Sequence, residues 1–112
     1  MKMEHLKKDE ESIFNIIVHS GNARGYAFEA MTAAEQYDFA KADELMRQSN
    51  EELRLAHETQ TTLIQAELNG EGPEKSLLMI HAQDHLMTAM SEQKLIEHMI
   101  RIVKKIKDEC QS

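Results

Sequence analysis

His81, Asp84, His85 and Thr88 lie three, four and seven residues apart, the spacing of neighbours on one face of a helix. The same stripe is apolar on either side, with Leu77 and Leu78 before it and Leu95, Met99, Ile102, Val103 and Ile106 after it. Taken as a core-facing seam, it makes two imidazoles and a carboxylate expensive to bury unless they are hydrogen-bonded, metal-bound or open to a crevice for chemistry. Two histidines at i, i+4 can ligate zinc, but a helical pair lacking an intervening Glu is a weak signal. A di-metal site of the Glu-x-x-His type is excluded, because none of the six histidines has Glu three residues before it. The chain has no Gly-rich phosphate loop, and no Ser or Cys in a nucleophile motif. The remaining chemistry is histidine as a nucleophile. Neutral imidazole is abundant at pH 7, and one ring nitrogen can attack phosphorus while a neighbour orients the other, giving a reactive phosphoramidate. Gln83, Asp84 and His85 are the side chains near enough along the helix to orient the His81 ring.

The elements that must position this cluster read as three long helices. Ile13, Ile16, Ile17, Ser20, Ala23, Ala27, Phe28, Met31 and Ala34 form one apolar face, thin in the middle where Ser20, Gly21, Ala23, Gly25 and Ala27 let another backbone approach. Asp38 is placed to cap a second helix, which carries Phe39, Ala42, Met46, Ser49, Leu53, Ala56, Gln60 and Leu63 at helical spacing. Asn69-Gly70-Glu71-Gly72-Pro73 ends it, with Pro73 suited to the first turn of a third helix from about Glu74 to Lys107. Two short connections force an antiparallel three-helix bundle. The first half of the third helix is apolar over nearly its whole circumference, since Met79, Ile80, Leu86, Met87 and Met90 fall outside the His81 stripe. A helix apolar all round requires burial all round, so self-association through this helix is expected.

Composition fits a single domain over residues 1–112. The chain is 41% hydrophobic and 29% charged, with four Gly and one Pro, and Ala, Leu, Glu, Lys, Met and Gln dominate. Cys110 is the only cysteine, so no disulfide or cysteine-based zinc site can form within one chain. No signal peptide or membrane span is expected, and the reading is a cytoplasmic protein without membrane insertion of its own. A formal charge of −7 repels phosphate backbones, which argues against nucleic acid and favours a basic protein partner.

The block from Leu77 to Met90, with His81-Ala82-Gln83-Asp84-His85 at its centre, closely resembles the active-site helix of the lactose/cellobiose-specific IIA family of the bacterial sugar phosphotransferase system. Gly21-Asn22-Ala23-Arg24 followed by Ala27, and Ala56-His57-Glu58-Thr59-Gln60-Thr61, resemble the family's first- and second-helix patterns in the same order. The likeness covers roughly residues 12 to 106. It implies that His81 is phosphorylated by phospho-HPr and passes the phosphoryl group to a cysteine of the cognate IIB protein, coupled indirectly to a membrane IIC permease. It also implies a homotrimer of three-helix subunits, with Asp84 at the trimer axis around a divalent cation, Mg2+ being the expected one. Gln83 and His85 match residues beside the active site and take supporting roles. Gly25 departs from the pattern, where a Ser is expected after Ala-Arg. Lactose, cellobiose and chitobiose systems share this IIA type, so the disaccharide stays open. Two rival readings use the same residues: a helical metal-binding module built on His81, Asp84 and His85, and a purely structural oligomerisation bundle.

Overall fold

The computed structural model describes residues 2–111, and the side chains of residues 7–110. Three helices, α1 (Lys2–Glu35), α2 (Phe39–Leu68) and α3 (Leu77–Gln111), run up, down and up in a rod 66 Å long and 19 Å across. No strand occurs among the described residues.

Each connection is set by local chemistry. At the end of α1, the Tyr37 N–H donates to the Ala34 carbonyl at 2.9 Å and the Asp38 N–H to the Ala33 carbonyl at 2.9 Å, a Schellman pair that needs a left-handed residue between them. Tyr37 fills that position at φ 61°. A non-glycine side chain there costs about 1 kcal/mol, and a cation–π contact from Lys107, 4.4 Å above the ring, offsets part of it. Asp38 then caps α2 by accepting from the Lys41 N–H at 3.2 Å, as its position in the sequence predicts.

The second connection repeats the motif with Gly70 at φ 77°: the Gly70 N–H donates to Glu67 and the Glu71 N–H to Ala66. The chain then folds back so closely that a Cβ on Gly72 would lie 2.6 Å from the Glu67 Cα, so this position requires glycine. The start of α3 differs from expectation. Residues 71–76 are irregular, and Ser76 is the cap, its hydroxyl accepting from the Met79 N–H at 3.1 Å. Pro73 precedes the helix instead of opening it.

The small residues of α1 do what their size predicts. Ser20, Ala23 and Ala27 are fully buried, and the Ser49 hydroxyl of α2 donates to the Ala23 carbonyl at 2.7 Å. That approach makes α1 the helix that packs against both others, while α2 and α3 meet each other less closely. One core section groups Ala27, Ala30, Ala34, Ala42, Leu45, Met46, Ile96 and Ile100; the other groups Ile13, Ile16, Ala56, Leu63, Ala82 and Leu86. Phe28, expected on the buried face of α1, is instead 53% exposed.

The orientation of α3 corrects the sequence reading more substantially. Its buried face is Ala82, Leu86, Ala89, Gln93, Ile96 and Ile100, whereas the stripe running through His81 and Asp84 faces outward within the chain. Leu77, Ile80, Met87, Leu95, Met99, Ile102 and Ile106 are all exposed. The third helix is thus an outer helix of the single chain that leaves one apolar side unpartnered.

Candidate active site

The rising direction of α1 and α3 is the same, so residues at equal heights on the two helices face one another over several turns. Gly21 meets His85 across this groove: a Cβ on Gly21 would sit 3.4 Å from the His85 Nε2, an ordinary contact but one that fills the space beside the ring. His85 in turn stacks on His81, with ring centroids 5.8 Å apart and planes tilted by 22°. One helical turn separates the two histidines, which is why their rings lie one above the other. His81 is exposed and His85 half-buried. Leu77 and Leu78 flank His81 with an open apolar surface.

Three turns of α3 beyond His81, Glu92 reaches across to α1. It accepts from Arg24 Nε at 2.7 Å and from Nη2 at 3.1 Å, a two-point fork. Arg24 and His85 share the groove, and their proximity has an electrostatic consequence. Burial first, then the Arg24 charge and the neighbouring His81, push the His85 imidazole below the usual histidine range, while Glu92 opposes the shift. His85 is therefore held neutral at neutral pH, which keeps one ring nitrogen a donor and the other an acceptor beside His81.

The structure brings together His81 and His85 and separates them from Gln83. The Gln83 side chain turns to α2, where its Oε1 accepts from Gln60 Nε2, on the opposite flank of α3 from the histidine groove. Of the residues considered as orienting the His81 ring, His85 is the one in ring contact with it. Asp84 lies between the two flanks, on the outward side of α3. It is exposed, borders the α2–α3 cleft with Ile80 and Gln83, and has no hydrogen bond or ion pair among the described residues. No group of three or more His, Cys, Asp or Glu that could hold a metal is assembled among the described residues, so His81, Asp84 and His85 do not form one within a chain.

Glu92 was invisible to the motif reading. The signal available was its position seven residues after His85, on the same face, opposite the single Lys or Arg of α1 between Asp9 and Glu35. None of the described helices is long and apolar enough to cross a bilayer.

Comparison with known proteins agrees with this geometry. The family model for the lactose/cellobiose-specific IIA subunit of the PTS system matches residues 11–104. The lichenan-specific phosphotransferase enzyme IIA component of Bacillus subtilis is 45% identical over 100 residues, covering 89% of this chain and 91% of that protein. The crystal structure of the PTS cellobiose-specific enzyme IIA from Bacillus anthracis superposes with a TM-score of 0.86 at 45% identity, over 89% of this chain and 92% of that one. The IIA(chitobiose) chain in the solution structures of its complex with HPr from Escherichia coli gives a TM-score of 0.77 at 41% identity, over 88% of this chain and 95% of that one. The histidine groove between α1 and α3 is thus carried on the fold of these proteins, and the chain belongs to the lactose/cellobiose-specific IIA family of the sugar phosphotransferase system.

Proposed function

We propose that this chain is a phosphoryl carrier that accepts from phospho-HPr on His81 and donates to a cysteine of a cognate IIB protein, serving uptake of a β-linked disaccharide of the lactose, cellobiose or chitobiose class. The observation that carries this reading is the exposed His81 ring, stacked on a neutral, half-buried His85 and flanked by Leu77 and Leu78. A free ring nitrogen of His81 attacks phosphorus as the P–N bond to the HPr imidazole breaks; the other His81 ring nitrogen gives up its proton to solvent, and the HPr ring takes one up from solvent and leaves as neutral imidazole. Onward transfer reverses the sense: a thiolate of IIB attacks phosphorus and the His81 imidazole departs. The apolar surface beside His81 limits water at the phosphoramidate when a partner closes over it. The kinship with a IIA protein solved in complex with HPr supports HPr as the donor. The exchange would take place at the cytoplasmic side of a IIC permease, which alone handles sugar.

The exposed apolar side of α3 supports assembly as a homotrimer through that helix. Seven large apolar side chains on it are exposed in the single chain, from Leu77 to Ile106, a continuous surface that a monomer leaves in water. Asp84 interrupts this surface with an unpaired carboxylate. A threefold arrangement would bring three such carboxylates together, and carboxylate oxygens are the donors that Mg2+ prefers. Asp84 would then hold the cation, whose part is to neutralise the three charges. In the same arrangement Gln83, which points away from its own His81, would act only toward a neighbouring copy.

His81→Gln is the direct test of the carrier reading. Incubated with phosphoenolpyruvate, enzyme I and HPr, the wild-type chain should take up one phosphoryl group and the variant none, with the helical circular dichroism of both unchanged. A variant that is still phosphorylated would remove His81 from this role.

A further inference from the structure

A phosphoryl group on His81 brings close to two negative charges to the α1–α3 groove, on the flank of a chain whose formal charge is already −7. Something must compensate it. On α3 there is no Lys or Arg from Leu77 to Gln93, and on α1 the single one between Asp9 and Glu35 is Arg24. Arg24 lies three residues after Gly21, the residue seated against His85, so its Cα is about 4.5 Å further along the groove. Its side chain is 37% exposed, and Glu92 holds the guanidinium by Nε and Nη2, leaving the Nη1 end without a partner among the described residues.

We propose that Arg24 is the cation that receives the phosphoryl oxygens when His81 is phosphorylated, and that Glu92 is its counterion in the resting state. This inference rests on the reading of His81 as the carrier. An arginine presents five N–H donors in a planar fork on a long flexible stem; Glu92 lies three turns beyond His81, so to meet a phosphoryl oxygen the Arg24 side chain leaves Glu92 and swings back along the groove toward His81. Glu92 serves the unphosphorylated protein by neutralising Arg24 and fixing its rotamer. After transfer its negative charge opposes the phosphoryl group and competes for the same guanidinium. Arg24 and Glu92 are positioning residues in this account, with opposite effects on the stability of the phosphorylated state. That opposition separates the proposal from a structural ion pair, whose two halves would fail alike.

The experiment measures the equilibrium distribution of the phosphoryl group between HPr and the full chain for wild type, Arg24→Gln, Arg24→Lys and Glu92→Gln. Circular dichroism checks the fold of each. Arg24→Gln should shift the equilibrium about tenfold toward phospho-HPr, the loss of a charge-assisted contact at a partly exposed site, and Arg24→Lys should recover part of it. Glu92→Gln should shift it the other way, severalfold toward the phosphorylated chain. In the wild type, the Arg24 Nε–H resonance should move on phosphorylation. Equilibria that move in the same direction for Arg24→Gln and Glu92→Gln, or that do not move at all, would overturn the proposal, as would an unshifted Arg24 resonance. If Arg24→Gln fails to fold, Glu92→Gln and the wild-type resonance decide the matter. A wild-type chain that takes no phosphoryl group would instead overturn the carrier reading, and this inference with it.

Discussion

Replacing Asp84 by leucine separates an assembly role from a chemical one. The carboxylate stands in an outward stripe whose neighbours Ile80, Met87 and Leu95 are 54%, 59% and 58% exposed in the single chain. If three copies meet along this stripe, three carboxylates face one another. At a separation of about 6 Å and an effective dielectric constant of about 20, each pair repels by ~3 kcal/mol, or ~8 kcal/mol for the three pairs. A leucine in the same place removes that repulsion and adds about 1.5–3 kcal/mol per chain from apolar burial. Without metal, the Asp84→Leu trimer should therefore be favoured over the wild-type trimer by on the order of 10 kcal/mol, several orders of magnitude in the concentration at half-assembly. Sedimentation of both proteins with Mg2+ and with chelator reads the effect. The wild type should loosen when the metal is removed, and the variant should stay assembled in either buffer and accept phosphoryl groups on His81 as before. A variant that assembles less well than wild type in chelator, or assembles but loses phosphorylation, would refute the axial placement of Asp84. So would a wild type that is monomeric in saturating Mg2+.

The fold and the histidine groove carry further expectations. Leu86 is fully buried among Ile13, Ile16, Ala56, Leu63 and Ala82, so Leu86→Ala should cost about 3 kcal/mol in urea unfolding; a loss under 1 kcal/mol would mean that this section of the core collapses around the gap. His85 has a native pKa below its unfolded value, so the unfolded chain binds the extra proton and stability from this group is present above the ordinary histidine pKa of about 6.5 and lost as pH falls through the lowered native value. His85→Gln should flatten the decline in urea midpoint between pH 7.5 and 5, and an unchanged slope would show that the burial and the Arg24 charge do not act on this ring.

Where the local chemistry was unambiguous, the chain could be read directly. Asp38 as a cap, and Asn69-Gly70 as the end of α2, follow from side-chain oxygens and left-handed backbone that few other residues supply, and both hold in the structure. The three helices follow from composition and periodicity over many turns. The start of α3 did not, because Glu74 and Lys75 are good helix formers and nothing in their own chemistry shows that the chain is still folding back over Glu67; the Ser76 hydroxyl decides it. Tyr37 in a left-handed position was equally hidden, since its partner Lys107 is seventy residues away in sequence. The facing of α3 was legible only in part. A helix apolar nearly all round announces that all of it is buried in something, but periodicity cannot say which side meets its own chain, so Leu86 and the His81 stripe exchanged places. Gln83 illustrates the same limit: two residues from His81, it lies on the other flank because a helix turns about 200° over that step. The pairing of His81 with His85 was legible, because two histidine rings one turn apart depend only on the i, i+4 relation within one helix.

The most direct test of the central claim is the chemistry and address of the phosphoryl group. The wild-type chain is incubated with phosphoenolpyruvate, enzyme I and HPr, and the product is followed by phosphorus NMR and by mass mapping after proteolysis at alkaline pH. The account predicts one phosphate per chain, stable in base and labile in acid as a phosphoramidate is, located on the peptide that carries His81, and discharged on adding a IIB protein with a free cysteine. An acid-stable phosphate, a phosphate on His85, His57 or any other residue, or no phosphate at all would contradict it.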